Sequence, residues 1–111
     1  MAVPEYILKR WGRPTRLIEN PVTDTVNTTP TLVLKNNPDR FQWLIINLSS
    51  NDVYLGFSSE VSSTRGIRLG PGGGFATMNA DEDGEAVCRE VWAVASADGS
   101  KIYVFVTEAR K

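Results

Sequence analysis

Along most of the chain apolar and polar positions alternate with a period of two, and the apolar positions are β-branched or aromatic. That is the pattern of strands, not of amphipathic helices. Five stretches carry it most clearly: "TLVLK" at 31–35, "FQWLIINL" at 41–48, "VYLGF" at 53–57, "VWAVA" at 91–95 and "KIYVFVTE" at 101–108. Fainter candidates are "EYILK" near residue 5, "TRLIE" near residue 15, "GIRLG" at 66–70 and "GFATM" at 74–78. Turn formers separate them at Asn36-Asn37-Pro38-Asp39, Ser49-Ser50-Asn51-Asp52, Pro71-Gly72, Asp83-Gly84 and Asp98-Gly99. No stretch of ten residues has a convincing helical period. Seven to nine short strands are expected, which predicts an all-β fold: a single small β-sandwich or jelly-roll-like domain over 19–111. Residues 1–18 are expected to form an extended basic N-terminal arm.

The parity of two strands adds a second expectation. In "FQWLIINL" the odd set is Phe41, Trp43, Ile45 and Asn47, and the even set is Gln42, Leu44, Ile46 and Leu48. In the last strand Ile102, Val104 and Val106 share one face, with Tyr103 and Phe105 on the other. A two-sheet sandwich buries one face of each sheet, so strands that are apolar on both faces predict a cover over the outer one. The N-terminal segment or a second protein would supply it.

A chain of 111 residues, 41% of them hydrophobic, makes one ordinary domain. The net charge of -1 gives no global attraction to nucleic acid or to an anionic membrane. The charge is nevertheless uneven: Lys9, Arg10, Arg13 and Arg16 against Glu5 make the first eighteen residues basic and leave the remainder acidic. The lone Cys88 has no disulfide partner and no neighbour at metal-ligand spacing, and a small, half-buried structural role is expected for it. No signal peptide and no membrane span are expected, because no apolar run is long enough.

Candidate chemistry changes the picture mainly by what it lacks. Histidine, the commonest general base and metal ligand, does not occur. "GPGGG" at 70–74 superficially matches a phosphate loop, but no Lys-Ser/Thr follows it, and a Pro-Gly turn with positive φ explains it better. The acidic run Asp81-Glu82-Asp83-Gly84-Glu85 fails the calcium-loop pattern, since Ala86 and Trp92 stand where glycine and glutamate are required. It is expected to be a solvated hairpin tip. No catalytic residue and no cofactor are assigned, and an enzyme is the least favoured class.

Trp43 and Trp92 sit in strands among aliphatic residues and are expected in the core. Trp11 lies instead between Arg10 and Arg13, the composition of an interface anchor or of a nucleic-acid contact. With only Tyr6 nearby for stacking, the anchor is preferred. Tyr6, Arg10, Trp11, Arg13 and Arg16 are the candidate partner contacts.

The layout "FQWLIINLSSNDVYLGFSSEVSSTRGIRLGPGGG", followed by "VWAVAS" and "KIYVFVTE", resembles small β-structured virion proteins of tailed double-stranded DNA bacteriophages. The likeness spans about residues 41–108. With its Arg/Trp-bearing N-terminal segment, the chain looks most like the capsid decoration or staple proteins of epsilon15-like short-tailed phages. The resemblance implies a jelly-roll-like domain on the outer capsid surface, made in the host bacterial cytoplasm. Its partners would be the major capsid protein and, as a dimer, other copies of itself, with no nucleic acid or membrane. On that expectation the segment from Ala2 to about Ile18 reaches over a neighbouring subunit, where Arg10, Arg13 and Arg16 meet carboxylates. Rival readings are a head-completion, tail or head-fibre component, a carbohydrate-binding module using Tyr54, Trp92 or Tyr103 as a platform, and a nucleic-acid-binding module using the basic segment.

Overall fold

The computed structural model describes residues 15–109 of the chain. They form nine strands: β1 (Thr15–Glu19), β2 (Thr25–Val26), β3 (Thr31–Leu34), β4 (Arg40–Asn47), β5 (Val53–Gly56), β6 (Ile67–Leu69), β7 (Phe75–Asn79), β8 (Val91–Ala95) and β9 (Ser100–Ala109). All five clear sequence candidates are strands, and so are three of the four fainter ones. The fourth, "EYILK", lies outside the described residues, and the two-residue β2 has too little pattern to be legible. The last four residues of the 1–18 segment belong to β1 and to a sheet.

The strands make two antiparallel sheets. The first runs β1-β9-β4-β7, with β2 also pairing β9; the second runs β3-β8-β5-β6. β9 is the spine of the first sheet: β4 lies on one side, and β1 and β2 share the other. Both sheets turn one face into a common core. Trp43, Ile45, Ile102, Val104 and Val106 enter it from the first, and Leu34, Val53, Leu55, Leu69, Val91 and Ala93 from the second. Each buried valine, leucine or isoleucine among them contributes roughly 1.5–3 kcal/mol relative to exposure.

Two irregularities set which residues face inward. The β4–β9 register shifts between Arg40 and Gln42, a bulge that lets Arg40 and Trp43 both be buried although their parities differ. At the far end of β4, Asn47 is fully buried. Its Nδ2 donates to the carbonyls of Asn51, Leu69 and Gly70, and its Oδ1 accepts from the Ser49 amide and hydroxyl. This one amide ties the β4–β5 turn to the 70–74 turn, where the chain passes from the second sheet to the first. Gly72 and Gly73 take φ of 69° and 117° there, as the glycine run predicted.

The acidic run is not a hairpin tip. Ala80–Asp83 is one helical turn, α1, followed by a 3-10 turn over Gly84–Cys88. Asn79 caps it, accepting from the Glu82 amide at 2.8 Å, while the Asp83 carboxylate accepts from the Asn79 amide at 2.9 Å. Three carboxylates in a first turn favour a helix start through its dipole. Val87 then plugs into the core and anchors the connection from β7 to β8. Among the described residues no helix is long and apolar enough to cross a membrane.

Candidate functional site: the outward faces of the two sheets

Cross-strand register places the outward residues of the first sheet in three rungs. They are Leu17–Thr107–Gln42–Asn79, then Glu19–Phe105–Leu44–Thr77, then Tyr103–Ile46–Phe75, with the pair Thr25–Lys101 beyond them at the β2 end. Six of the eleven side chains in the three rungs are aliphatic or aromatic. At the two edges Leu17 is 61% exposed and Phe75 63% exposed, while Leu44, Ile46, Tyr103 and Phe105 between them are half-buried by their neighbours. The Tyr103 and Phe105 rings lie 6.5 Å apart, tilted at 44°. Glu19 is the one formally charged residue in the rungs, and it accepts a 2.6 Å hydrogen bond from the Tyr103 hydroxyl, which raises the phenol's pKa above its ordinary value. The face is therefore mostly apolar, with its charge confined to Glu19 and to Lys101 at the β2 end, which pairs with Asp24 at 3.6 Å.

The second sheet also turns apolar groups outward, in the rungs Leu32–Trp92–Gly56 and Val94–Tyr54–Arg68. Here the chain supplies its own cover. The loop 58–66 folds back so that Val61, only 5% exposed, sits on Gly56. A Cβ on Gly56 would stand 2.8 Å from Val61 Cβ, and one on Gly66 would stand 2.8 Å from the Leu55 carbonyl oxygen. The Ser/Thr-rich stretch between strands is thus a flap with one apolar plug, held by Ser58 and Ser62 hydroxyls that accept from the Glu60 and Thr64 amides. Among the described residues, the buried apolar side chains outside strands are Val61 and Val87. The first lies on the second sheet and the second in the core, so neither covers the Leu17–Phe75 face.

Of the candidate contacts, Tyr6, Arg10, Trp11 and Arg13 lie outside the described residues. Arg16 is on β1, where its guanidinium pairs with Glu108 of the same chain at 3.3 Å and remains half exposed. Trp43 is core, as expected. Trp92 is not: it stands on the outward face of the second sheet, half-buried beside Gly56, with its indole N–H enclosed and unpartnered. An enclosed indole is no open sugar platform.

Arg40 carried no sequence signal beyond a charge at a strand start, yet it is 4% exposed. Its guanidinium donates to the carbonyls of Val87, Arg89 and Lys35, joining the 3-10 turn to the end of β3. Burial lowers its pKa, with nearby Glu108 opposing the shift. Cys88 is half-buried, and its thiol donates to the Arg40 carbonyl at 3.4 Å, so it is engaged with main chain and not with a base. Among the described residues no group of three or more Cys, Asp or Glu is gathered to hold a metal ion.

Comparison with family descriptions, with curated proteins and with solved structures found no match to this chain.

Proposed function

We propose that this protein is a non-enzymatic structural protein of a tailed-phage virion, docking on the outer capsid and stapling neighbouring major capsid subunits. In this reading the two sheets form a jelly-roll-like β-sandwich. The observation that supports docking is the Leu17–Phe75 face: mostly apolar, with few charges and without a cover among the described residues. Its one outward basic strand residue, Lys101, is paired with Asp24 at 3.6 Å, which disfavours a nucleic-acid surface. The capsid as partner rests on the resemblance carried by residues 41–108.

Magnitude fits the reading. Four strands about 4.8 Å apart and five residues of about 3.4 Å each give a flat area of only roughly 330 Å². A standard stable interface takes about 800 Å² per partner. One such contact is weak, and a shell presenting many copies adds weak contacts until they count. The upstream residues Tyr6, Arg10, Trp11 and Arg13, with the exposed half of Arg16, would widen each footprint.

Co-sedimentation of the purified protein with capsids lacking it tests this, comparing the full chain with a chain lacking residues 2–16. Saturable binding at high copy number, weakened by the truncation, is expected. Binding at a handful of copies would move the protein to a vertex or tail position, and no binding would end the virion reading.

A further inference from the structure

A groove of about 420 Å³ runs over the outward face of the second sheet, away from the Leu17–Phe75 face. Its floor is Tyr54, Val94 and the Val61 plug; Pro30 and Thr28 form one wall, and Ser62, Ser63 and Ser96 complete the rim. The lining carries one aromatic ring, a few aliphatic groups and four hydroxyl side chains, and no charged residue.

The rim is held in place from behind. Asp98 accepts from the Thr28 amide at 2.8 Å and from its hydroxyl at 2.9 Å, which fixes the Thr28–Pro30 wall. Ser96 Oγ accepts from the Asp52 amide, and Asp52 is neutralised by Arg68 at 2.8 Å. Ser62 Oγ is paired with the Thr64 hydroxyl. Among the described residues the Tyr54 phenol and the Ser63 hydroxyl make no hydrogen bond, although both line the groove. The half-buried Tyr54 ring thus ends in a phenol without an internal partner, and the exposed Ser63 adds a second hydroxyl at the rim.

We infer that this groove is a binding site for a neutral saccharide of one or two rings. The chemistry of the lining selects that class. A sugar ring offers an aliphatic C–H face to the tyrosine ring and hydroxyls that both donate and accept, matching serine and threonine. An anionic ligand finds no free cation, since Arg68 is held by Asp52. A proline-rich peptide needs a groove lined by several aromatics, and here there is one. The volume is within the range of small-ligand sites, near its lower end. Affinity for a monosaccharide is in the millimolar range, because few groups make contact. The inference is independent of the virion reading, for the two faces belong to different sheets and either can be lost without the other.

Titration of the isotope-labelled full chain with glucose, galactose, mannose and N-acetylglucosamine, and with disaccharides of each, tests it by nuclear magnetic resonance. Amide shifts are expected at Thr28, Tyr54, Ser62, Ser63, Val94 and Ser96, and not on β1, β4 or β9. Tyr54→Ala weakens binding about tenfold or more. Tyr54→Phe and Ser63→Ala, which keep the groove's packing, weaken it less, and Tyr103→Phe on the other sheet leaves it unchanged. The inference is overturned if no saccharide moves these resonances, if binding ignores both Tyr54 variants and Ser63→Ala, or if a proline-rich peptide alone produces the shifts.

Discussion

Gly56 and Val61 act as one unit, and the reason is spatial. An added methyl at Gly56 would point out of the second sheet into the Val61 side chain, 2.8 Å from its Cβ and Cγ2. Gly56→Ala should therefore destabilise the protein by about 1–3 kcal/mol, the usual range for overpacking. In the Gly56→Ala/Val61→Ala double variant part of that loss should return, measured as a coupling energy in denaturant unfolding. Additive losses would mean that the flap yields at no cost. Asp98 is a residue of a different kind, exposed but accepting two hydrogen bonds from Thr28, chiefly the backbone one, which lower its pKa. A carboxylate with a depressed folded pKa stabilises above its unfolded value, about 3.9, and the effect disappears as pH falls through the lower folded value. The gap in melting temperature between the native chain and Asp98→Ala should accordingly be full at neutral pH and close below about pH 4. A gap constant across that window would show that the hydrogen bonds do not depend on the charge.

Among the elements, the short helix α1 has the clearest single dependence. It is one turn long, far below the length at which a helix is stable alone, so caps and anchors must hold it. Asn79 provides the cap through its contact with the Glu82 amide, and Val87 provides the anchor. Asn79→Ala should cost about 1 kcal/mol, read as a lower denaturant midpoint with an unchanged slope, while Asn79→Asp should be close to neutral. The signature Asn-Ala-Asp-Glu at 79–82 was available in the sequence as a helix start. It is overlooked because a lone turn has no apolar period behind it, only a cap before it and one buried valine after it.

For the molecule as a whole, the contrast between the two outward faces matters most. One is partly covered by the chain's own loop, where Val61 lies on Gly56, and the other ends in Leu17 and Phe75, each more than half exposed. Leu17→Glu and Phe75→Glu should leave folding stability within about 0.5 kcal/mol, since neither side chain is in the core. In the capsid assay of the proposed function the pair should remove binding, because an unpaired carboxylate cannot be buried cheaply against an apolar surface. Retained binding by the folded double variant would assign docking to some other surface.

The positions of the described strands other than β2, the glycine turn at 70–74 and the apolar character of both faces of β4 and β9 were determined by the sequence alone. Each is local: a period of two, a run of residues without Cβ atoms, a count of side chains along one strand. Which of two apolar faces becomes core was not legible in that pattern, because alternation is symmetric when both sets are hydrophobic. Tertiary structure decided it, through the bulge at Arg40–Gln42, the buried amide of Asn47 and the pairing of β4 with a strand some sixty residues further on. It also buried Arg40, whose partners are carbonyls that only folding brings within reach. The same holds for the covered and uncovered faces: Val61 looks like any valine in a serine-rich loop until the second sheet places Gly56 beneath it.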